Sequence, residues 1–527
     1  MKDSDVIIVG GGHNGLVAAG LLAKRGRRVV VLERRPEVGG AAITETPWGP
    51  DFKMTTLSYV VSIIAPAILR ELELERFGYK VYPQHDYFVP YPDGRYLQMH
   101  DDPARRAEEV RKFSAKDAVA LEEWDAWLGR LGGVLGPLLT AVPPRVGSKK
   151  LGDLKDQFAF AWRMRGLGVN DIGDVTRLMT MSVADLLEEQ FESPQIRGVL
   201  AVSGVIGAWA GPRSAGTAYL MAHHKVGDLG DGKIMAWGFP EGGMGGVTQA
   251  MRRAAESLGV TIRTEAPVAR ILVEDGEAVG VVLESGETLR ARTVVSTAHP
   301  QITFLRLIER GQLPPEFVTA MERWKSRSGV VKINLALDRL PEFKAKPGFD
   351  PTVHGGTIVL ADSLDDIEGA FQDAVAGRGA ALPFADICIP SVFDKTLAPP
   401  GKHIMSMFTQ WVPQDWAKAP HREELDAYAD RTIARIEALA PGFTSSILHR
   451  QVVGPHEMER KYGLIGGNIF HGELSLAQMF HMRPAPGFSD YRTPIRRLYF
   501  AGSATHGGGG VTGIPAMQVV RQIVADG

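Results

Sequence analysis

The chain begins with two short apolar runs separated by a segment of helical pattern. Val6–Val9 and Val29–Leu32 are rich in β-branched residues and predict buried strands, while Leu16–Lys24 between them predicts a helix. The same order of strand, glycine loop and helix returns near the other end, with a strand over Leu498–Ala501 and a helix over Ile514–Val524. Alternating strands and helices of this kind predict an α/β protein with a parallel sheet.

The middle of the chain carries two further patterns. From Pro103 to Gln195 apolar residues recur at helical spacing, and one stripe of them predicts a helix that packs on the core: Leu121, Trp124, Leu128 and Leu131. Between residues 261 and 411, β-rich runs such as Val330–Leu337 predict strands. A second layer of mixed sheet and helices is therefore expected beside the first domain.

Composition and charge exclude several classes of protein. The 527 residues are 44% hydrophobic, with 59 Lys and Arg against 61 Asp and Glu, which is typical of a globular protein. This nearly neutral balance argues against nucleic acid as a partner. Cys388 is the only cysteine, so an intrachain disulfide and a dithiol reductase are excluded. The apolar run around Cys388 predicts that the thiol is buried in a strand.

No secretory signal pattern precedes Val6, and the longest apolar stretch, Leu57–Leu69, spans 13 residues and contains Pro66. A helix that crosses a membrane needs about 20 apolar residues. The sequence therefore predicts a cytoplasmic protein, and peripheral contact with a membrane is compatible with it.

Three glycines follow the first predicted strand at the spacing G-x-G-x-x-G. They are Gly10, Gly12 and Gly15, and Glu33 stands 18 residues after Gly15, at the end of the next strand. This context is that of a dinucleotide-binding turn. Gly10 permits the tight turn, Gly12 lets a diphosphate approach the backbone, and Gly15 lets the helix pack against the strand. The N-terminus of the helix then faces the phosphates, and Glu33 is placed to accept hydrogen bonds from the ribose.

The residues after Glu33 resemble the flavin-binding, glutathione-reductase-like superfamily, in which a Gly-Gly loop continues along the diphosphate of FAD. Here that loop contains Gly39 and Gly40, and Ala41 stands where the superfamily pattern has an arginine. The resemblance implies FAD as the cofactor, with these three residues along its diphosphate. The backbone of the loop and Arg34 are expected to compensate for the missing cationic contact.

The C-terminal strand delivers Gly502 and Ser503 to a loop that contains Gly507–Gly510 and precedes a helix near Val511–Pro515. The N-terminus of such a helix can direct N–H groups at the N1/C2 carbonyl edge of a flavin. It would stabilise the anionic reduced form by about 0.3–2 kcal/mol. Both ends of the chain are therefore expected to hold one FAD.

Nearly the whole chain resembles the phytoene-desaturase-related flavoproteins, most closely the branch of the pyridine nucleotide-disulfide oxidoreductase domain-containing protein 2 type. The resemblance rests on the two ends and on Phe239–Gly246, Ala266–Val281 and Gly466–Leu474. It implies an FAD-dependent oxidoreductase. By the same resemblance, the backbone of Val268 lies against the adenine side, and Ser503, Val511 and Thr512 lie near the ribityl and isoalloxazine groups. Gly502 and Gly510 of the same loop are expected to bind the cofactor as well.

The fold class expected from this resemblance is α/β, with a glutathione-reductase-like FAD-binding Rossmann domain interleaved with a substrate domain of mixed sheet and helical cap. The predicted FAD-binding domain comprises residues 1–80, 236–300 and 466–527. The predicted substrate domain comprises residues 81–235 and 301–465.

Candidate catalytic groups are sought among polar residues near the C-terminal loop. His506 lies in that loop and His471 precedes it, so each is a candidate acid or base, and either also fits a structural role. His471 and His481 are ten residues apart and no carboxylate completes a set, so a metal site is not expected.

The leading hypothesis is a desaturase, dehydrogenase or reductase that moves a hydride between FAD and a hydrophobic, isoprenoid-like substrate. A flavin amine oxidase that attacks a C–N bond is the first alternative. It ranks lower because the sequence around Tyr462 and Tyr491 does not match the aromatic cage of those enzymes. A flavoprotein without turnover that binds a partner or membrane is the second alternative.

The electron acceptor stays open between oxygen and a quinone, and the sequence leaves the oligomeric state open as well. No second strand, glycine motif, helix and acidic residue follow in order, so a dedicated nicotinamide domain is not expected.

Overall fold

The computed structural model describes residues 4–62, 64–145, 147–149, 151–224 and 237–527. Its strands are β1 (Ser4–Val9), β2 (Val29–Leu32), β3 (Thr44–Glu45), β4 (Met54–Thr55), β5 (Val81–Pro83), β6 (Tyr87–Pro90), β7 (Tyr96–Met99), β8 (Gly238–Pro240), β9 (Thr261–Arg263), β10 (Val268–Glu274), β11 (Glu277–Leu283), β12 (Thr288–Ser296), β13 (Val330–Leu337), β14 (Thr357–Leu360), β15 (Phe384–Cys388), β16 (His403–Gln410), β17 (Ile447–Val453) and β18 (Leu498–Phe500).

The helices connect these strands or form a layer above them. They are α1 (His13–Lys24), α2 (Pro66–Glu71), α3 (Pro103–Arg111), α4 (Ala115–Thr140), α5 (Leu151–Met164), α6 (Val169–Thr180), α7 (Val183–Gln190), α8 (Pro194–Ala201), α9 (Thr217–His224), α10 (Gly243–Ser257), α11 (Pro300–Leu305), α12 (Pro315–Glu322), α13 (Pro351–His354), α14 (Leu364–Val375), α15 (Arg422–Leu439), α16 (Pro455–Tyr462) and α17 (Ile514–Asp526). Short 3-10 turns join several of them.

The first sheet has the strand order β10-β11-β12-β1-β2-β9, and β18 pairs with β12. The pairs β12–β1, β1–β2, β2–β9 and β12–β18 are parallel, whereas β10, β11 and β12 form an antiparallel meander. Helices α1, α10 and α17 pack together on one face of this sheet. The predicted α/β fold is thus confirmed, and the strands of this sheet come from both chain ends and a central segment.

The second sheet has the order β17-β13-β16-β15-β14-β6-β7 and is mostly antiparallel. All eight residues of β13, which lies between the edge strand β17 and β16, are buried. The predicted domain boundaries stay predictions, and the one between 235 and 236 lies outside the described residues.

Helices α3 to α9 form most of the layer predicted as a helical cap. The stripe Leu121, Trp124, Leu128 and Leu131 is buried on α4, as its spacing predicts. Cys388 is buried at the end of β15, which confirms the interpretation of that run. Helix α1 begins at His13, three residues earlier than its apolar pattern suggests, because the glycine turn continues directly into it. In the described part of the chain, no helix is long and apolar enough to cross a bilayer.

Candidate active site

The three motif glycines of the turn between β1 and α1 differ in the space around them. A Cβ atom on Gly10 would lie 2.6 Å from Oγ1 of Thr297, and one on Gly15 would lie 2.0 Å from the carbonyl oxygen of Gly10. A Cβ atom on Gly12 would meet only the Cα atom of Gly40, at 3.9 Å. Packing within the protein therefore requires Gly10 and Gly15, whereas Gly12 borders open space.

Glu33 directly follows β2 and is buried beneath this turn. Its Oε2 atom accepts a hydrogen bond from the N–H of Gly11 at 2.8 Å, and Oε1 accepts one from the N–H of Arg35 at 3.0 Å. The carboxylate thus fixes the backbone of the turn. Its predicted contact with a ribose stays a prediction.

The Gly-Gly loop lies directly against the first turn. The N–H of Gly39 donates to the carbonyl of Gly11 at 2.9 Å, and both Gly39 and Gly40 have positive φ angles. Arg35 donates to the carbonyl of Gly40 at 3.0 Å. Arg34, the cation expected here, instead extends over the surface to the carbonyl of Lys461 at 3.3 Å. The arginine that the structure places at the Gly-Gly loop is Arg35.

The C-terminal loop is closed by its own hydrogen bonds before α17 begins. Oγ1 of Thr512 donates to the carbonyl of Gly507 at 3.0 Å and accepts from the N–H of Ile514 at 3.1 Å. A Cβ atom on Gly502 would lie 2.9 Å from the carbonyl oxygen of Thr297, so this loop is packed tightly against the segment that follows β12. The carbonyl of Ser503 accepts from the buried Arg483 at 2.9 Å.

One cavity joins the two ends of the chain. The residues from the glycine turns and from the C-terminal loop that line it are Gly12, Gly39, Gly40, Ala41, Ser503, Gly510 and Val511. It contains about 1560 Å³ of empty space, including the part open to solvent. Val268 is not part of its lining; it begins β10, two residues after Ala266, whose N–H donates to the carbonyl of Glu33 at 2.9 Å.

Unpartnered polar atoms show that this part of the cavity fits a polar ligand. His13 and Asn14, in the first turn of α1, and Ser62 all line it. Nε2 of His13, Oδ1 of Asn14 and Oγ of Ser62 are buried without a hydrogen-bond partner in the described structure. Buried polar groups are normally satisfied, and the first N–H groups of a helix have no partner within it. The residues present therefore fit a dinucleotide with its diphosphate at the start of α1.

The two candidate histidines differ in their surroundings. The ring of His506 donates from Nε2 to the carbonyl of Leu138 at 2.9 Å, and its carbonyl accepts from the hydroxyl of Tyr491 at 2.8 Å. It is not part of the cavity lining, and burial lowers its pKa to about 4. His506 thus holds the C-terminal loop against the end of α4.

His471 does line the cavity. Its Nδ1 atom is buried without a partner in the described structure, and burial lowers its pKa to about 4 with a contribution from the nearby Arg483. The backbone of His471 has a φ angle of +59°, and its carbonyl accepts from Nε1 of Trp324 at 2.9 Å. The neutral ring therefore faces the cavity as a potential hydrogen-bond partner or base.

A polar row on the floor of the cavity is not among the site residues predicted from the sequence. Lys332 of β13 and Asp386 of β15 both stand opposite Phe408 of β16, so all three side chains lie on the same face of the sheet. Nζ of Lys332 donates to Oγ of Ser406 at 2.7 Å and lies 4.2 Å from the centre of the Tyr59 ring. Oδ1 of Asp386 is buried without a partner in the described structure.

Both charged members of this row titrate near neutral pH. Burial raises the pKa of Asp386 to about 7 and lowers the pKa of Lys332 to about 7. Groups with such perturbed pKa values inside a cleft are candidates for proton transfer. One signal was available in the sequence, since each residue is the single charged residue in a largely apolar strand, VVKINLAL or FADIC.

Tyr462 and Tyr491 do not form an aromatic cage at this cavity, because their hydroxyls are engaged elsewhere. The hydroxyl of Tyr462 donates to Oε2 of Glu45 at 2.7 Å, and that of Tyr491 donates to the carbonyl of His506. Neither belongs to the cavity lining, which instead includes the aromatic rings of Tyr59, Tyr87, Trp237, Phe408 and Phe470. In the described chain, no group of three His, Cys, Asp or Glu side chains could hold a metal ion.

Comparison with known proteins identifies the family of this site. Residues 15–515 match the profile of the flavin containing amine oxidoreductases. The chain belongs to the flavin-containing amine oxidoreductase family. It is therefore an FAD-dependent oxidoreductase, which confirms the predicted cofactor and enzyme class.

Individual relatives agree with this membership. The chain is 38% identical to the pyridine nucleotide-disulfide oxidoreductase domain-containing protein 2 of Mus musculus, covering 99% of this chain and 93% of that protein. It is 26% identical to one component of the limonene dehydrogenase of Castellaniella defragrans, covering 99% and 95%. A solved structure of a putrescine oxidase triple mutant shares the fold, with a TM-score of 0.62 and 16% identity over 100% of this chain and 99% of that one.

Proposed function

We propose that this oxidoreductase removes a hydride from a largely apolar, isoprenoid-like substrate, in the manner of a desaturase or dehydrogenase. The observation that carries the proposal is the continuous cavity that runs from the glycine turns to the row of Lys332 and Asp386. Its walls between these two ends are mostly apolar, with Leu57, Val60, Val61, Ile206, Phe408, Ile469 and Phe470. The similarity to a limonene dehydrogenase component gives further support.

The residues proposed to hold FAD fall into three groups. The adenine side is assigned to Val268 and the ribose to Glu33. The diphosphate is assigned to the glycine turns: Gly10, Gly12, Gly15, Gly39, Gly40 and Ala41. The ring and ribityl groups are assigned to the C-terminal loop: Gly502, Ser503, Gly510, Val511 and Thr512. When bound, FAD accepts the hydride, and the protein supplies position and electrostatics.

Desaturation releases two hydrogens, and only one of them leaves as a hydride. The electron pair of one C–H bond leaves the substrate with its hydrogen, and the neighbouring C–H bond gives up a proton while a C=C bond forms. Asp386 is the proposed acceptor of that proton, because its carboxyl is in the cavity with Oδ1 free of partners in the described structure. A base with a pKa near the working pH is suited to this step.

Lys332 is proposed to act beside this base. Its ammonium form stabilises the Asp386 carboxylate electrostatically, and the hydrogen bond to Ser406 keeps Nζ at the cavity floor. The apolar walls exclude water and therefore strengthen both effects.

Oxidation of an amine is the second candidate. It is favoured by the family match and by Asp386, since a carboxylate with a partnerless oxygen at the end of an apolar cavity in the described structure could hold a substrate ammonium group. The two candidates differ in whether Asp386 removes a proton from carbon or binds a positively charged nitrogen.

Anaerobic reduction of the bound flavin distinguishes these candidates. The oxidised protein would be mixed with monoterpene hydrocarbons and, in parallel, with amines that carry the same carbon skeletons. Bleaching of the flavin band by the hydrocarbons supports the proposal, and bleaching by the amines alone supports amine oxidation. A flavin that neither series reduces, although dithionite reduces it, would contradict both and support a binding protein without turnover.

The reduced protein can then be used to find the electron acceptor. Reoxidation would be followed after addition of air or of a soluble quinone. A much faster reaction with the quinone would assign a quinone as acceptor, and a fast reaction with air would assign oxygen.

A further inference from the structure

Exposed apolar side chains are concentrated on two consecutive helices of the cap. Fourteen large hydrophobic side chains are exposed in the described chain, and half of them lie between residues 151 and 172. They are Leu151, Leu154, Phe158, Phe160, Trp162, Val169 and Ile172. Single exposed apolar residues are ordinary, but a contiguous group of this kind indicates an interaction site.

Four of these residues share one face of α5. Leu151, Leu154, Phe158 and Trp162 follow each other at intervals of three and four residues, so they form a stripe along the helix. We call them the α5 stripe. The rings of Phe158 and Trp162 stack with centres 6.1 Å apart. The guanidinium of Arg165 lies 3.8 Å from the centre of the Trp162 ring, at the end of the stripe.

The segment of sequence that carries the stripe has a net charge opposite in sign to that of the whole chain. Residues 145–165 contain six lysines and arginines against two aspartates, whereas the chain has a net charge of −2. Lys149 and Lys155 are exposed beside the stripe. An apolar face with aromatic rings, bordered by basic residues, is typical of a helix that lies in the interface of an anionic membrane.

Two other occupants fit these observations less well. A second copy would place two positively charged faces against each other, which is unfavourable unless the charges interdigitate. A membrane span is excluded for this helix, because α5 has 14 residues and a span needs about 20. We infer that the α5 stripe docks the protein on a lipid bilayer that contains anionic headgroups, with α5 lying in the plane of the surface.

The helix that follows the stripe packs against an element of the cavity wall. Helix α6 follows α5 and packs against α9, whose residues His223 and His224 line the cavity. Docking through α5 would therefore bring the substrate domain next to the bilayer. An apolar substrate partitions into lipid rather than water, so this arrangement would supply it close to the cavity. The docking itself does not depend on the identity of the substrate.

Vesicle flotation with the full-length, FAD-loaded protein tests the inference. The vesicles would consist of phosphatidylcholine alone or of phosphatidylcholine with about one third phosphatidylglycerol. We expect the protein to float with the anionic vesicles at low salt and to bind them about tenfold less in 0.5 M salt, because salt screens surface charge. A double variant, Phe158→Ser with Trp162→Ser, is expected to bind at least about tenfold less than the wild type.

A matched variant separates the stripe from apolar surface in general. Phe349→Ser with Leu448→Ser removes two exposed apolar side chains outside the cap and should bind like the wild type. Unchanged FAD content and thermal midpoint would show that both double variants are folded. Failure of the wild type to float with anionic vesicles, or equal flotation of the Phe158 and Trp162 variant, would overturn the inference. A dimer in sedimentation that this variant abolishes, with no vesicle binding, would do so as well.

Discussion

At the scale of single residues, two glycines of the same turn are expected to have different roles. Gly15 is needed for packing of the fold, and Gly12 for binding of the cofactor. A Cβ atom at Gly12 meets no atom closer than 3.9 Å, whereas one at Gly15 would overlap the Gly10 carbonyl at 2.0 Å. We therefore expect Gly12→Ala to weaken FAD binding about tenfold or more, while the apoprotein keeps its stability within about 1 kcal/mol. Gly15→Ala should cost about 2–5 kcal/mol of unfolding free energy. Flavin fluorescence titration and urea unfolding of the apoproteins measure the two effects.

The opposite pattern would contradict this account of the turn. If Gly12→Ala bound FAD like the wild type, the diphosphate would not pass over Gly12. If Gly15→Ala were as stable as the wild type, the close contact with Gly10 would not be real.

The raised pKa of Asp386 predicts how the rate of flavin reduction depends on pH. Its pKa is raised to about 7, so the carboxylate that accepts the proton is present only above that pH. The rate of anaerobic flavin reduction should therefore rise as pH increases through about 7, an apparent value that belongs to Asp386 and Lys332 together. Asp386→Asn should slow this step about 100-fold or more and remove the rise.

Asp362 provides the matched control. It is another partly buried carboxyl with a raised pKa, but it pairs with Arg435 at 2.8 Å and does not line the cavity. Asp362→Asn should therefore keep the pH profile of the wild type. A normal rate and profile in Asp386→Asn would exclude Asp386 as the base.

At the scale of elements, strand β13 carries Lys332, whose charged form is disfavoured by burial. Burial lowers the pKa of Lys332 to about 7 from 10.5, so the folded state loses stability as pH falls from 10.5 to 7. Lys332→Met should consequently stabilise the protein by about 1–4 kcal/mol at pH 6, where Asp386 is protonated, and by much less near pH 10. Urea unfolding at the two pH values measures this difference.

The same variant should slow flavin reduction, because the cavity floor loses its cation. A stability gain combined with lost activity would identify Lys332 as a residue retained for function. Lower stability at pH 6 would instead make it part of the packing of β13.

His506 connects two elements, the C-terminal loop and the end of α4. His506→Ala removes the donor to the Leu138 carbonyl and should lower the free energy of unfolding by about 1–3 kcal/mol. Flavin reduction should stay within about tenfold of the wild type, since general acid–base groups contribute more than that. A loss of about 100-fold with unchanged stability would restore the catalytic interpretation of this residue.

At the scale of the whole molecule, buried histidines make the fold sensitive to acid. Burial lowers the pKa of His13 and His223 to about 3 and that of His471 and His506 to about 4. These rings are neutral in the folded protein but become charged near pH 6.5 when it unfolds, so stability is lost as pH falls from 6.5 towards 4. The thermal midpoint of the apoprotein should drop steeply over this pH range. A midpoint that stays constant would contradict the claim that these rings are buried and neutral in the folded protein.

The sequence predicts those parts of the molecule that are determined by interactions within a short segment of the chain. The glycine turn, Glu33, the C-terminal loop and several strands, such as Val330–Leu337, follow from spacing and apolar runs that a short segment specifies. The position of Arg35 rather than Arg34 at the Gly-Gly loop depends on side-chain directions that spacing does not fix.

The floor of the cavity could not be predicted in the same way. Lys332 and Asp386 are 54 residues apart and meet only because β13 and β15 flank β16. Strand order is set by tertiary packing, so a lone charge in an apolar strand is a signal without a partner until the sheet is known. The α5 stripe is a similar case, because its spacing fits a buried helix as well as an exposed one.

The most direct test of the account is an experimental structure of the protein with FAD bound. We expect the diphosphate at Gly12 and the start of α1, and the flavin ring along Gly510 and Val511, open to the cavity that ends at Lys332 and Asp386. FAD bound elsewhere, or a flavin ring walled off from these two residues, would contradict it.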